Sequence, residues 1–242
     1  MKLKLTALVA IVTAALFAQS VQAGTVTATT GDIILGFTDG TTCLEVDLGS
    51  YSSVIAGTVN TAGLKLADLT ATYGSGWQSN GSLYWGVAGG LSGNLVLTSP
   101  DQPTPSTYST QNGYVANLNK LTSTLNGLSS TANSGVAATI GAATAGSWDY
   151  QYYNPNPGTA LNNLPNDSIV DGAANDGVIM AYASTSQMNL YKVLAGGAAT
   201  KLGTLTLDGS GLSFQAQAIP EPSTFVCVGL GMLGLLAIRR RK

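Results

Sequence analysis

Short apolar runs that alternate with polar residues dominate the centre of the chain. Leu44, Val46 and Leu48 alternate with Glu45 and Asp47, the period-two pattern of a strand with one buried face. Similar patterns predict further strands at 25–29, 32–37, 83–87, 94–98, 178–183 and 187–194. Strands at this spacing are typical of β-sandwiches. We therefore predict a mainly β protein, an antiparallel β-sandwich of the jelly-roll or immunoglobulin-like kind.

Two local patterns add detail to this fold. Asp208-Gly209-Ser210-Gly211 lies between the apolar pairs Leu205/Leu207 and Leu212/Phe214, so we expect a hairpin there. One stretch departs from the strand period, and its apolar positions are Val115, Leu118, Leu121 or Thr122, Leu125 and Leu128. Their helical spacing predicts one amphipathic helix between Asn112-Gly113 and Ser129-Ser130. Residues 134–146 are small and show no clear pattern.

The N-terminus has the order of a secretory signal. Lys2 and Lys4 precede a largely apolar run at 5–17, and Val21-Gln22-Ala23 places small residues where signal peptidase requires them. The run gives only about 20 Å of helix, whereas a bilayer core is about 30 Å thick. We expect export through the secretion translocon and cleavage between Ala23 and Gly24.

The C-terminus combines three features in a fixed order. Pro220-Glu221-Pro222-Ser223 precedes an apolar segment at 224–238, and the cations Arg239, Arg240, Arg241 and Lys242 end the chain. The prolines prevent a helix from continuing inward, and cations favour the cytoplasmic side of a membrane. We expect 224–238 to form a marginal transmembrane helix, with the three arginines as its membrane stop.

These last residues resemble the PEP-CTERM sorting signal of Gram-negative bacteria. The resemblance implies that Pro220, Glu221 and Pro222 are the recognition motif of an exosortase, which processes the tail. It also implies a path from an inner-membrane-anchored intermediate to the cell surface or the extracellular space. Two strings in the body, 31–37 and 83–89, loosely resemble segments of other exported proteins with this tail, and we interpret them as core strands.

We interpret residues 24–219 as one exported, acidic domain. Eleven acids stand against four lysines, a net charge of −7, so we expect no nucleic-acid partner. Its surface is made largely of Thr, Ser, Asn and Gly in place of charged residues. Cys43 lies in the body and Cys227 in the tail, so we expect no disulfide between them and interpret Cys43 as a small buried hydrophobe.

The composition excludes most classes of secreted hydrolase. The chain has no histidine, which excludes Ser-His-Asp and Cys-His catalysis and every His-ligated metal site. The body also has no arginine with which to clamp a phosphate. We expect a non-catalytic protein without a cofactor.

Three candidate sites remain. Glu45 and Asp47 lie on one strand face, and paired carboxylates suit a glycosidase, although that face is expected to be solvated. The Asn- and Asp-rich stretch 162–176 offers oxygen ligands for calcium, but such residues are also ordinary turn formers.

Aromatic residues provide the third candidate, since they could stack on sugar rings. Tyr150 and Tyr152, expected on one face of an extended segment, are the proposed glycan contacts, whereas Trp85 has strand spacing and is assigned to the core. Three functions follow. The first is a structural or interaction protein of the cell surface or extracellular matrix. The second is a carbohydrate-binding module for exopolysaccharide, and the third is a carboxylate glycosidase.

Overall fold

The structure is a computed structural model that describes residues 24–99, 102–103, 108–131, 134–152, 180–182 and 187–217. Its strands are β1 (Asp32–Thr38), β2 (Thr42–Ser50), β3 (Tyr84–Leu91), β4 (Asn94–Ser99), β5 (Ala137–Gly141), β6 (Met180–Tyr182), β7 (Gln187–Val193), β8 (Ala199–Asp208) and β9 (Gly211–Ala216). Its α-helices are α1 (Tyr51–Ile55), α2 (Leu66–Tyr73), α3 (Tyr108–Leu125) and α4 (Trp148–Tyr152). Two 3₁₀ turns lie at Thr61–Gly63 and Trp77–Ser79.

All the described strands belong to one antiparallel sheet. Its order is β5-β2-β1-β3-β4-β7-β8-β9, and β6 makes an additional pairing with β3. The sheet curls into a half-barrel, in which β9 approaches the 3₁₀ turn Thr61–Gly63 that also contacts β2. The mainly β, antiparallel prediction is confirmed. The second packed sheet that a sandwich requires is not confirmed.

Apolar side chains cover both faces of the sheet. The concave face gathers residues from β2, β8 and β9 into one cluster with α1, α2 and Trp77, including Leu48, Leu207 and Leu212. On the convex face, α3 and Trp148 cover residues such as Ile34, Ala88 and Leu97. Helices thus bury the face for which we expected a second sheet.

The central strand β1 is buried along its whole length. Ile33, Leu35 and Phe37 belong to the concave cluster, whereas Ile34 belongs to the convex one. Gly36 also faces the convex side, directly beneath the indole of Trp148. A Cβ atom at position 36 would overlap that ring, so only glycine allows Trp148 to lie against the sheet.

The two strings singled out from the sequence form adjacent strands. Phe37 pairs with Trp85, Gly36 with Gly86, and Ile33 with Gly89. Trp85 is fully buried, which confirms its assignment to the core. Close packing requires glycine at position 89, because a Cβ atom there would overlap the backbone of β1.

Most local predictions are confirmed, with shifts at the ends. The β8–β9 hairpin turns at Gly209-Ser210, as expected. The predicted helix corresponds to α3, but it starts earlier and continues through Asn112-Gly113. The buried apolar side of α3 includes Val115, Leu118, Leu121 and Leu125.

Two segments differ from expectation. The strand predicted at 25–29 is wrong, because only Thr25 makes an isolated bridge, with Ser129. There the backbone of Val26 instead bonds to the loop after α3, through Gly127 and Leu128. Residues 134–146 contain strand β5, which the pattern missed because its buried residues, Ala137, Ala138 and Ile140, include two small alanines.

Among the described helices, none combines the length and apolar character needed to cross a bilayer. The proposed transmembrane segment 224–238 lies outside the described residues, as does the signal peptide.

Candidate functional site

The carboxyl group of Glu45 is enclosed beneath helix α4. Glu45 has no exposed surface, and its Oε1 accepts a hydrogen bond from the backbone N–H of Trp148 at 2.5 Å. Its Oε2 is buried with no hydrogen-bond partner. Burial raises the pKa of Glu45 to about 8, although the Trp148 bond acts against this rise. The expectation of a solvated Glu45 is therefore wrong, because α4 covers this face.

Asp47 lies on the same face of β2 but is only half-buried. Its Oδ1 accepts a bond from the Gly49 N–H at 2.7 Å, and burial raises its pKa to about 6. A glycosidase needs two carboxyls that can both reach the substrate. With Glu45 sealed under Trp148, this pair does not meet that requirement.

The thiol of Cys43 lies in the same buried cluster. Cys43 is fully buried, as expected, and its Sγ accepts a bond from the backbone N–H of Asp149 at 3.3 Å. Burial, with a smaller effect from the charge of Glu45, raises the pKa of the thiol to about 12. Such a thiol is protonated at neutral pH and is a poor nucleophile.

The aromatic candidates are arranged differently from the prediction. Tyr150 and Tyr152 belong to helix α4, and positions two apart on a helix do not share a face, so their expected extended arrangement is wrong. Tyr150 is half-buried, and the side chain of Tyr152 lies outside the described residues. Trp77 and Trp148 are buried, so neither provides an exposed platform.

A cleft of about 210 Å³ opens where α4 meets one end of the sheet. It is lined by Thr38, Asp39, Gly40, Ser82, Tyr84 and Asp149. Thr38 ends β1, and Asp39 and Gly40 belong to the turn that leads to β2. Ser82 precedes β3, Tyr84 begins it, and Asp149 belongs to α4. We call this the α4 cleft.

Hydrogen bonds fix the walls of the α4 cleft. The buried Thr38 hydroxyl donates to Asp149 Oδ1 at 2.8 Å and accepts from the Gly40 N–H at 3.0 Å. Asp39 Oδ1 accepts from the N–H groups of Thr41 and Thr42, both at 2.9 Å. These bonds hold two carboxylates at one opening.

Tyr73 of α2 stabilises the same β1–β2 turn from the concave side. Its hydroxyl donates toward the carbonyls of Phe37 and Thr42, at 3.0 and 3.2 Å, and accepts from the Leu44 N–H at 2.9 Å. Burial raises the pKa of Tyr73 far above its usual value. The phenol is therefore a fixed structural link between the two strands.

The electrostatics of the α4 cleft favour ligands that donate hydrogen bonds. Burial raises the pKa of Asp149, and the charge of Asp39 raises it further, whereas the Thr38 bond lowers it. The carboxylates repel anions, and Ser82 and Tyr84 complete the lining. Within the described part of the chain, no three Asp, Glu or Cys side chains converge as a metal site.

Sequence reasoning missed this cleft. Thr38 and Asp149 are 111 positions apart, and no motif connects them. Other sequence-based candidates lie outside the described residues: Ala23, Pro220, Glu221, Pro222, Arg239, Arg240, Arg241 and the stretch 162–176. Gly24 is the first described residue, and it is exposed.

The comparisons with known proteins identify the C-terminal segment alone. A family described as the PEP-CTERM protein-sorting motif matches residues 218–242. No curated protein and no solved structure matches the chain. The C-terminal residues are thus a PEP-CTERM sorting motif, consistent with an exosortase substrate, and this prediction from the sequence is confirmed.

The buried carboxyl makes stability depend on pH. The folded state holds a proton on Glu45 up to about pH 8, whereas an unfolded glutamate loses it near its ordinary pKa of 4.5. Stability therefore falls as pH rises through this window. In Glu45→Gln, whose amide keeps the acceptor for Trp148, we expect stability relative to the native protein to increase by up to about 1.4 kcal/mol per pH unit.

Urea denaturation at pH 5, 6, 7 and 8 measures this effect. Asp47→Asn is the matched control, because the pKa of Asp47 is raised only to about 6 and its influence should end near that pH. Parallel profiles of stability against pH for Glu45→Gln and the native protein would contradict the raised pKa of Glu45.

Proposed function

We propose that this protein is an exosortase substrate, exported and anchored through its tail until processing, that acts by contact at the cell surface or in the extracellular matrix. The observation that carries the proposal is the PEP-CTERM sorting motif at residues 218–242. Such a motif is expected on an exported protein, and the signal-like N-terminus agrees with that direction of transport.

Features of the body support a non-catalytic role. Its net charge of −7 arises with only four lysines and no arginine or histidine. Glu45, one of the two candidate glycosidase carboxyls, and the thiol of Cys43 are both fully buried beneath α4. We therefore propose that the polar outer surface makes the functional contacts, since a buried Glu45 cannot reach a substrate as a glycosidase carboxyl must.

Processing at both ends tests this proposal. Mass spectrometry of the mature protein from the producing bacterium should give an N-terminus at Gly24 and a C-terminus lost or modified between Pro220 and Ser223. Glu221→Gln, which removes the charge of the Pro-Glu-Pro motif, should reduce C-terminal processing. Asp208→Asn neutralises an exposed carboxylate at the end of β8 and should leave processing unchanged.

Recovery of the intact chain, Met1 to Lys242, from the soluble cytoplasmic fraction would contradict the proposal. Normal processing of Glu221→Gln would show that the carboxylate is not part of the recognised motif.

The α4 cleft favours one specific kind of contact. Its two carboxylates can accept hydrogen bonds from the hydroxyls of a sugar, and Tyr84 adds an aromatic ring to the lining. A volume of about 210 Å³ suits a small unit of a larger polymer. We accordingly retain carbohydrate binding, with exopolysaccharide as the partner, as the second candidate function.

A pull-down with the producing bacterium's own exopolysaccharide tests this candidate. Ser82→Arg places a long side chain at the exposed rim of the α4 cleft and should reduce binding at least about tenfold, or about 1.4 kcal/mol. Ser75→Arg makes the same change at an exposed position outside the cleft lining and should have no effect. Tyr152→Ala tests the contact expected from the sequence.

Equal binding by Ser82→Arg and Ser75→Arg would exclude the cleft. Loss of binding in Tyr152→Ala alone would indicate that the polysaccharide contacts the end of α4 and not the α4 cleft.

A further inference from the structure

Two exposed leucines lie side by side at one end of the sheet. Leu91 is 42% exposed and Leu194 is 37% exposed, and these are the exposed large apolar side chains in the part of the chain that the structure describes. Leu91 pairs with Asn94 across the β3–β4 turn, and the next residue of β4, Leu95, pairs with Val193 of β7. The same register places Leu194 beside Asn94. Because neighbouring strands are about 4.8 Å apart, the two leucines are about 10 Å apart. We call this part of the sheet the leucine end.

Hydrogen bonds and tight turns hold the leucine end in place. The β3–β4 turn consists of residues 92–93, which both have a positive φ, as in a two-residue hairpin turn. Asn94 Oδ1 accepts from the Ala195 N–H at 3.4 Å, so this side chain links the two turns. The Gly197 N–H closes the second turn on the Leu194 carbonyl at 3.0 Å. The leucines therefore project from closed turns.

The C-terminal strand leads toward the leucine end. β9 begins at its hairpin with β8, at the opposite end of the sheet, and runs to Ala216, which pairs with Gly203. The Gln217 N–H continues the pairing through the Leu202 carbonyl at 2.7 Å. The start of β8 pairs with the last residue of β7, directly before Leu194. The chain thus leaves the sheet in the direction of the leucine end.

Only a short stretch separates this exit from the tail. The sorting motif matches residues 218–242, and the proposed transmembrane segment begins at position 224, seven positions after Gln217. Seven residues span at most about 25 Å when fully extended. The body of an anchored copy is therefore held close to the bilayer, with the leucine end on the side toward which its chain exits.

Charged side chains are divided between the two ends of the sheet. Two of the four lysines of the body, Lys192 and Lys201, belong to the ends of β7 and β8 that lie next to the leucine end. Asp39 and Asp149 line the α4 cleft at the opposite end, where Asp208 also ends β8. A body with a net charge of −7 would be repelled by anionic lipid. This division directs cations to the side of the tail.

The carboxylates of β1 and β2 nearest the leucine end are bonded to their own chain. Asp32 is buried, and its Oδ2 accepts from the backbone N–H of Thr29 at 2.6 Å. Asp47 is half-buried and accepts from the Gly49 N–H at 2.7 Å. Lys192 is partly exposed, as is Lys201, and a long lysine stem can extend its ammonium group to a neighbouring surface.

We infer that the leucine end is a membrane-contact surface, which inserts Leu91 and Leu194 among the lipid headgroups while Lys192 and Lys201 bind anionic headgroups. Apolar side chains flanked by cations are what binds a protein to the surface of an anionic bilayer. The inference rests on the proposed function, since only a copy anchored through its tail is held beside a bilayer.

This contact orients the anchored body. The α4 cleft lies at the opposite end of the sheet, so it faces away from the membrane and toward the extracellular polymer. Two leucines bury little apolar area, and binding strength at a membrane surface scales with that area. The contact therefore holds the body only while the tail keeps it close, and processing of the tail releases both.

Two turn serines at opposite ends of the sheet provide the test. Ser92 and Ser210 are both exposed and lie in two-residue hairpin turns. The anchored intermediate, 24–242, carrying Ser92→Cys or Ser210→Cys together with Cys227→Ser, is labelled with a thiol-reactive fluorophore. The buried Cys43 thiol, with its pKa of about 12, does not compete for the label.

The labelled chains are inserted into vesicles of phosphatidylcholine and anionic phosphatidylglycerol that carry a nitroxide quencher on their headgroups. The label at position 92 should be quenched strongly, and the label at position 210 should be quenched weakly. In vesicles of phosphatidylcholine alone, quenching at position 92 should fall severalfold, because the lysines lose their anionic partners.

Leu91→Ser combined with Leu194→Ser tests the contact itself. The double variant should lower the fraction of copies in contact with the bilayer at least about fivefold, because the apolar area that lipid would cover is lost. Both side chains are exposed, so the midpoint of urea unfolding should stay close to that of the native protein. The label at position 210 in the same double variant is the matched control and should not change.

Equal quenching at positions 92 and 210 overturns the inference, as does quenching at position 92 that the two leucine substitutions leave unchanged. Flotation of the same vesicles separates this question from the proposed function. A chain that does not float with the vesicles refutes the anchoring and this inference with it. A chain that floats but shows equal quenching of both labels refutes only the membrane contact.

Discussion

The burial of strand β1 on both faces is the constraint on which the rest of this structure depends. A strand in this position must satisfy two cores at once: Leu35 and Phe37 contribute to the concave cluster and Ile34 to the convex one. At Gly36 the convex side has no side chain, and the indole of Trp148 occupies that space. One glycine thus determines where α4 lies on the sheet.

The position of α4 in turn creates the chemistry of the convex side. With Trp148 against Gly36, the helix backbone donates to Glu45 and Cys43, the neighbours of β1 on β2. Asp149 then reaches Thr38 at the end of β1 and completes the α4 cleft. The same packing therefore buries Glu45, a candidate catalytic carboxyl, together with Cys43, and it forms a polar cleft beside them. This division favours a protein that acts through its surface over one with a buried catalytic centre.

Local patterns predicted most strands but not the arrangement around them. Alternation in β2 and the glycine turn before β9 are properties of neighbouring residues, so they are visible in the sequence. Residues 32–38 show no such alternation, because both of their faces are buried, and this burial on two sides distinguishes a helix-covered half-barrel from the expected sandwich. The burial of Glu45 could not be predicted from its neighbours in the sequence either, because Trp148 of the covering helix lies 103 positions later. The sorting motif was predictable because its three parts are contiguous.

Amide hydrogen exchange along the sheet tests the central role of β1 most directly. If β1 is held by both cores, its amides from Ile34 to Phe37 should be among the slowest in the protein and should exchange only through global unfolding. The edge strand β9 should exchange faster, through local opening. Faster exchange in β1 than in β8 and β9 would contradict the account, because the cores would then not depend on this strand.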